Sequence, residues 1–265
     1  MSDRTIRLDL SYDGTDFCGW QRQKNARSVQ EELETVLARL HGHAVDVQGA
    51  GRTDSGVHAA RQTVHFRTDI RSMPADRFRL ALNKLLPQDV RILDSREADP
   101  DFHARYDARL RRYKYFIDTA EECAPWRLRY VWHLHRRLDL PRLNGMASAL
   151  IGEKDFTAFS SARDPAENRF RYVYGASWRV EGGLVVFDIS ANAFLWRMVR
   201  SLVGSMVEYE AKGRDASWMR EVLESGDRNL AGTTAPARGL FLWSVEYYGT
   251  PTRKGRAPGS SPAPV

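Results

Sequence analysis

Between Gln48 and Phe66 the chain passes through three glycines, at 49, 51 and 56, with a single acid, Asp54, held among them. Val45 and Val47 alternate on the way in, and Thr63 to Phe66 alternate on the way out. A period of two marks a strand whose successive side chains face opposite sides. This strand–loop–strand passage therefore carries an acid in a tight turn, and its glycines permit positive φ and close approach of a ligand. Arg52 stands two residues before the acid and His58 four after it. A carboxylate fixed in this way faces outward, as a catalytic group must. An Asx-type turn, with Asp54 bonding its own backbone, is the plainer reading of the same residues. Dinucleotide binding fails on spacing: the run is G-x-G-x-x-x-x-G, and no clear helical run follows it. A phosphate loop fails as well, because no Gly-Lys-Ser/Thr is present.

The flanking segments read as an alternation of strands and helices. Ile6, Leu8, Leu10 and Tyr12 alternate as a half-buried strand. The loop Phe17 to Gln23 either folds back on the core or meets a nucleic acid. Ser28 and Glu31 form a capping box, after which Val29, Leu33, Val36, Leu37 and Leu40 recur at helical spacing. Pro74 is expected as the first residue of a second helix, with Phe78, Ala81, Leu82 and Leu85 as its apolar stripe and Pro87 as its stop. Val90 and Ile92 give another strand. Residues 5–98 thus suggest a sheet with helices packed on one face.

Further along, Asp139 and Pro141 open a helix near 141–151, and strands recur at 171–180 and 184–189. A long helix is expected from Ala193 to about Ala211, burying Leu195, Met198, Val199, Leu202, Val203, Met206 and Val207. A short helix near 218–224 precedes a last strand at 240–248. Residues 161–169 are polar and read as a mobile loop. Residues 249–265, rich in Pro, Gly, Ser and basic groups, are expected to be disordered.

The formal charge of +6 and a pI near 9.4 suit an anionic partner without naming it. Residues 102–116 are the densest basic and aromatic stretch; arginines pair with phosphates and tyrosines stack on bases, although a solvated strand face with rings packed inward fits too. Cys18 and Cys123 suggest neither a disulfide framework nor a zinc ribbon. His41/His43 and His133/His135 are spaced as strand neighbours, without a known metal spacing. No run is apolar enough to cross a membrane, and the charged start shows no signal peptide, so a cytoplasmic protein is the default.

The run Gly51-Arg52-Thr53-Asp54-Ser55-Gly56-Val57-His58-Ala59 resembles the active-site signature of the tRNA pseudouridine synthase A family, with Ser55 where the family usually has Ala. Phe102-His103-Ala104-Arg105, Arg111-Arg112-Tyr113-Lys114-Tyr115, Gly152 to Phe159, Phe194-Leu195-x-x-Met198-Val199-Arg200 and Ala235-Pro236-Ala237-x-Gly239-Leu240 resemble further motifs of the same family. The likeness spans residues 5–248 and departs from the family pattern at 161–169. It implies an α+β pseudouridine synthase fold: two ferredoxin-like (RRM-like) halves, 1–105 and 106–248, with a joined mixed sheet, helices on one face and a central cleft. It also implies a homodimer that isomerises uridines 38, 39 and 40 in the anticodon arm of tRNA, with no cofactor and no metal. Asp54 is then the nucleophile. Tyr113 and Leu240 lie against the target base, and Arg200 lies against the carboxylate. Arg52, on the same loop, is assigned the space a flipped base vacates.

Overall fold

A computed structural model describes residues 3–247; the disorder expected for 249–265 lies outside the described residues. The first elements are β1 (Arg4–Tyr12), α1 (Val29–His41), β2 (Gln48–Gly49), β3 (His58–Thr68), α2 (Arg77–Leu85) and β4 (Val90–Glu97). They are followed by β5 (Leu110–Asp118), β6 (Trp132–His133), α3 (Leu140–Ser148), β7 (Gly152–Asp155), β8 (Phe170–Glu181) and β9 (Leu184–Ala191). The chain then forms α4 (Met198–Ala211), α5 (Ala216–Ser225) and β10 (Leu240–Glu246). The fold is α+β. One sheet runs β4-β1-β3-β10-β5-β9-β8-β7, with β2 paired to β3 and β6 to β5. It is mostly antiparallel. The exceptions are β5 with β6, and β10 with β3, where Phe241 meets His58 and Leu242 meets Ala59. The last strand among the described residues, β10, therefore joins the earlier strands to the later ones.

Local sequence explains most of these elements. The Ser28 hydroxyl accepts the Glu31 N–H at 3.4 Å, and Gly42, at φ 76°, ends α1 by donating to Ala38 O. Such an N-cap contributes about 1 kcal/mol. Val29, Leu33, Val36 and Leu37 are buried along one face, each contributing roughly 1.5–3 kcal/mol. Asp139 caps α3 by accepting from the Arg142 N–H at 3.1 Å.

Other elements differ from expectation. β1 is covered on both faces rather than half-buried: Arg7 and Asp9 are buried as well as Ile6, Leu8 and Leu10. The Arg7 guanidinium lies 3.2 Å from Asp9 and 4.3 Å from the centre of the Tyr247 ring, which shields that side. α2 begins at Arg77, and Pro74 sits in the turn before it, its carbonyl accepting the Arg77 N–H. Phe78 and Leu82 are buried while Leu85 is exposed, so the apolar stripe is narrower than its spacing suggests. His41 closes a helix rather than lying on a strand, bonding Leu37 O and Thr68 Oγ1. α4 starts at Met198, five residues later than expected from Ala193, because Arg197 has φ 64° and breaks the helical path. All seven apolar positions expected to be buried are buried.

The basic stretch on β5 is divided by the sheet. Tyr113 and Tyr115 point into the core. Arg112 pairs with Asp188 at 2.6 Å and Lys114 with Glu181 at 3.0 Å. These two cations are thus already neutralised within the protein.

Candidate active site

The Asp54 loop is held from three sides. Its turn is closed by the Val57 N–H donating to Asp54 O at 3.1 Å, with Gly56 third in the turn at φ 75°. That is the type II position, where glycine is favoured. Of the three glycines in this stretch only Gly56 has positive φ. Gly49 serves differently: a Cβ there would lie 2.8 Å from the Trp20 ring. The Phe17–Gln23 loop folds back and braces the turn, its Trp20 N–H donating to Thr53 O and Phe17 O accepting the Gly56 N–H. Thr53 Oγ1 bonds the buried Tyr12 hydroxyl at 2.8 Å, and Gln62 donates to Gly51 O at 2.7 Å.

His58 anchors the far end of the loop. It is fully buried; Nδ1 accepts the Gly14 N–H at 3.0 Å, and Nε2 lies 3.0 and 3.1 Å from the carbonyls of Arg129 and Arg238. Burial pulls its pKa down despite the nearby Asp13 carboxylate. The imidazole ties Gly14 to the carbonyls of Arg129 and Arg238.

The Asp54 carboxylate receives one donor on each oxygen. Arg200 Nη1 lies 3.1 Å from Oδ2, and the Trp196 indole N–H donates to Oδ1 at 2.8 Å. The acid and Arg200 are both mostly shielded from solvent, with side-chain exposures of 19% and 15%. At such a site, an opposite charge offsets the cost of removing a carboxylate from water. Arg200 is itself fixed: Nε donates to Ala235 O at 2.8 Å, and the Ala235 N–H donates to Arg200 O at 3.0 Å. The 232–236 segment can lie this close because α4 carries a glycine there. A Cβ on Gly204 would fall 1.9 Å from Thr233 O.

Tyr113 is buried, with its ring edge-on to Phe194 at 5.0 Å. Burial first, and then the negative charge of Asp54, raises its pKa, so the phenol stays protonated at neutral pH. Leu240 is buried opposite Tyr115, and Leu242 lies opposite Tyr113, which puts Leu240 on the sheet face shared with Tyr113. Arg52 is exposed and forms no hydrogen bond or ion pair with the described residues. The structure thus gathers Asp54, Arg200 and Tyr113 and leaves Arg52 outside that cluster.

Two residues beside the site carry no signal that periodicity can read. Trp196 occupies an unspecified position of the Phe194–Arg200 motif and lies before the helix. Arg111 donates to the carbonyls of Ala50, Arg105, Ala108 and Asn192, which ties the stretch before Asp54 to the end of β9. Among the described residues no three His, Cys, Asp or Glu side chains are grouped to hold a metal ion.

A sequence profile described as tRNA pseudouridine synthase matches residues 10–107 and 146–248. The chain is 47% identical over 251 residues to the tRNA pseudouridine synthase A of Treponema denticola, covering 93% of this chain and 94% of that protein. It is 42% identical over 244 residues to the protein of the same name from Brevibacillus brevis, covering 92% of this chain and all of its relative. The matched segments contain the Asp54 turn and the Arg200 and Ala235 segments that clamp it. The chain belongs to the tRNA pseudouridine synthase family.

Proposed function

We propose that the protein isomerises uridine to pseudouridine in the anticodon arm of tRNA, at positions 38, 39 and 40, with Asp54 as the nucleophile. The observation that carries this reading is the carboxylate held between Arg200 and Trp196 at the end of a braced turn. The reaction breaks the N1–C1′ bond, turns the uracil and joins C5 to C1′. The C5 proton leaves and N1 gains one, so atoms and electrons balance without an oxidant or a reductant. A carboxylate divides this difficult step by forming a covalent adduct, at C1′ or at C6. The Arg200 guanidinium, 3.1 Å from Oδ2, offsets the negative charge that the attacking carboxylate carries.

A base within a stem must leave the stack, at a cost of a few kcal/mol that pocket contacts offset. Tyr113 and Leu240 supply a ring and an apolar wall for the extruded uracil. The Tyr113 hydroxyl, held protonated, serves the departing C5 proton only as a relay that gives one proton as it takes another. Arg52, exposed and unpaired among the described residues, is free to enter the space the base leaves.

The same reading covers the architecture. The β1-α1-β2-β3-α2-β4 order with β4-β1-β3-β2 pairing, and the β10-β5-β9-β8 order around α3 and α4, support two ferredoxin-like halves meeting near residue 105. We assign the enzyme to the cytoplasm as a homodimer acting on tRNA, with neither metal nor cofactor in the chemistry. Incubation with unmodified tRNA, followed by mapping of pseudouridine, tests the assignment. Asp54→Asn should abolish product while tRNA affinity stays nearly intact, and turnover by that variant would remove Asp54 as the nucleophile.

A further inference from the structure

We infer that Trp196 is a positioning residue for Asp54: its indole N–H sets the plane of the carboxylate whose other oxygen is held by Arg200. The inference rests on the isomerase reading above and adds a residue to it. A single donor on a carboxylate leaves rotation about Cβ–Cγ soft. Two donors, one on each oxygen, remove that freedom. Here they arrive from residues four apart in sequence, Nε1 of Trp196 at 2.8 Å from Oδ1 and Nη1 of Arg200 at 3.1 Å from Oδ2. Each oxygen has two lone-pair sites, so one on each remains for a reacting carbon.

The identity of the donors matters. Indole N–H and guanidinium are donor-only groups, and neither gives up its proton in a protein. The nucleophile is thus held by partners that stabilise its charge and cannot exchange a proton with it.

The indole is also built into place. The Trp196 backbone N–H donates to the Asp164 carboxylate, and the Trp196 backbone carbonyl accepts the Ser161 N–H at 3.0 Å. Arg197, at φ 64°, turns the chain sharply between Trp196 and the first residue of α4. A non-glycine residue adopts that conformation only where surrounding contacts enforce it. Trp196 is 39% exposed, so core packing does not account for its placement. Its outer face carries the Arg197 guanidinium, 5.4 Å from the ring centre. The loop from Ser161 to Asp164 is consequently coupled through one side chain to the nucleophile.

The test uses two variants of the full chain and unmodified tRNA. Trp196→Phe keeps an aromatic ring and removes the donor. Trp196→His restores it, because the imidazole superimposes on the five-membered half of the indole with Nε2 at the place of Nε1. We expect Trp196→Phe to lower kcat about tenfold with KM changed less than about twofold, and Trp196→His to recover kcat to within about threefold of wild type. Melting temperatures should stay within about two degrees of wild type, as expected for a half-exposed site. If Trp196→Phe is unstable, kcat of the folded histidine variant decides alone: near wild type supports the inference, and a tenfold loss overturns it. Wild-type kcat in Trp196→Phe, a change confined to KM, or equal kcat losses in both variants would likewise overturn it. Absence of pseudouridine with the wild-type enzyme would instead defeat the isomerase reading.

Discussion

Ala235 grips Arg200 at both ends, its N–H bonding the arginine carbonyl and its carbonyl accepting from the guanidinium Nε, so that Nη1 is presented to Asp54. The ion pair is therefore set by a main-chain clamp as well as by charge. Charge and shape can be separated experimentally at this position.

Arg200→Lys keeps the positive charge and loses the fork that reaches Ala235 and Asp54 together. Lysine offers a flexible point charge where arginine offers a planar one. We expect kcat/KM to fall on the order of 10–100-fold, with tRNA affinity changed little. Steady-state assays with binding measured separately check this. Wild-type turnover would show that charge alone suffices.

Gly204→Ala reverses an ordinary rule. In a helix interior, alanine is more favourable than glycine by about 1 kcal/mol. At Gly204 the added methyl carbon would fall 1.9 Å from Thr233 O, and the 232–236 segment would have to lift away from α4. The substitution should destabilise by roughly 1–3 kcal/mol and lower kcat, because Ala235 moves with that segment. Denaturant titration and turnover read the two effects. A more stable, fully active variant would contradict the clamp.

Tyr113→Phe removes a hydroxyl and keeps the ring. If that hydroxyl relays the C5 proton, kcat should fall more than about tenfold while affinity for tRNA stays near wild type. Tyr113→Leu should lose turnover and affinity together. Equal activity of the phenylalanine variant and wild type would confine Tyr113 to stacking.

His65 makes stability depend on pH. Its Nδ1 accepts the Ala104 N–H at 3.1 Å, so the native ring is neutral. Burial, with His103 and Arg67 adding to it, lowers its pKa from 6.5 to about 4. As pH falls, the unfolded chain takes up the proton first. The stabilisation is then complete above about 6.5 and is lost as pH falls from about 6.5 to about 4. The melting temperature should drop through that window, and His65→Gln should flatten the drop. An unchanged slope in the variant would assign the effect elsewhere.

Local chemistry made much of the framework readable. Ser28 with Glu31, and Asp139 with Pro141, marked helix starts that the structure contains. The alternation around Gln48–Phe66 placed Asp54 in a loop before a strand. What stayed hidden was long-range. Arg200 is 146 positions from Asp54, and periodicity alone makes it a helix-surface cation; only the family likeness placed it against the acid. Trp196 escaped because Arg197 takes a left-handed conformation that no spacing rule anticipates, so the segment read as helix. The charges of Arg112 and Lys114 read as free because Asp188 and Glu181 reach them only once β8 and β9 pair beside β5.

The placement of β10 bears on how the molecule holds together. Among the described residues all other strands precede it, yet it lies between β3 and β5 and seats the segment that grips Arg200. Without Leu240–Glu246, β3 and β5 each present an unpaired margin there, and the Ala235 segment that holds the guanidinium lacks the strand that seats it. The pairing of Leu240–Glu246 is thus the weld between the two parts of the sheet, so a polypeptide lacking that strand would leave the acid and its clamp on separate pieces.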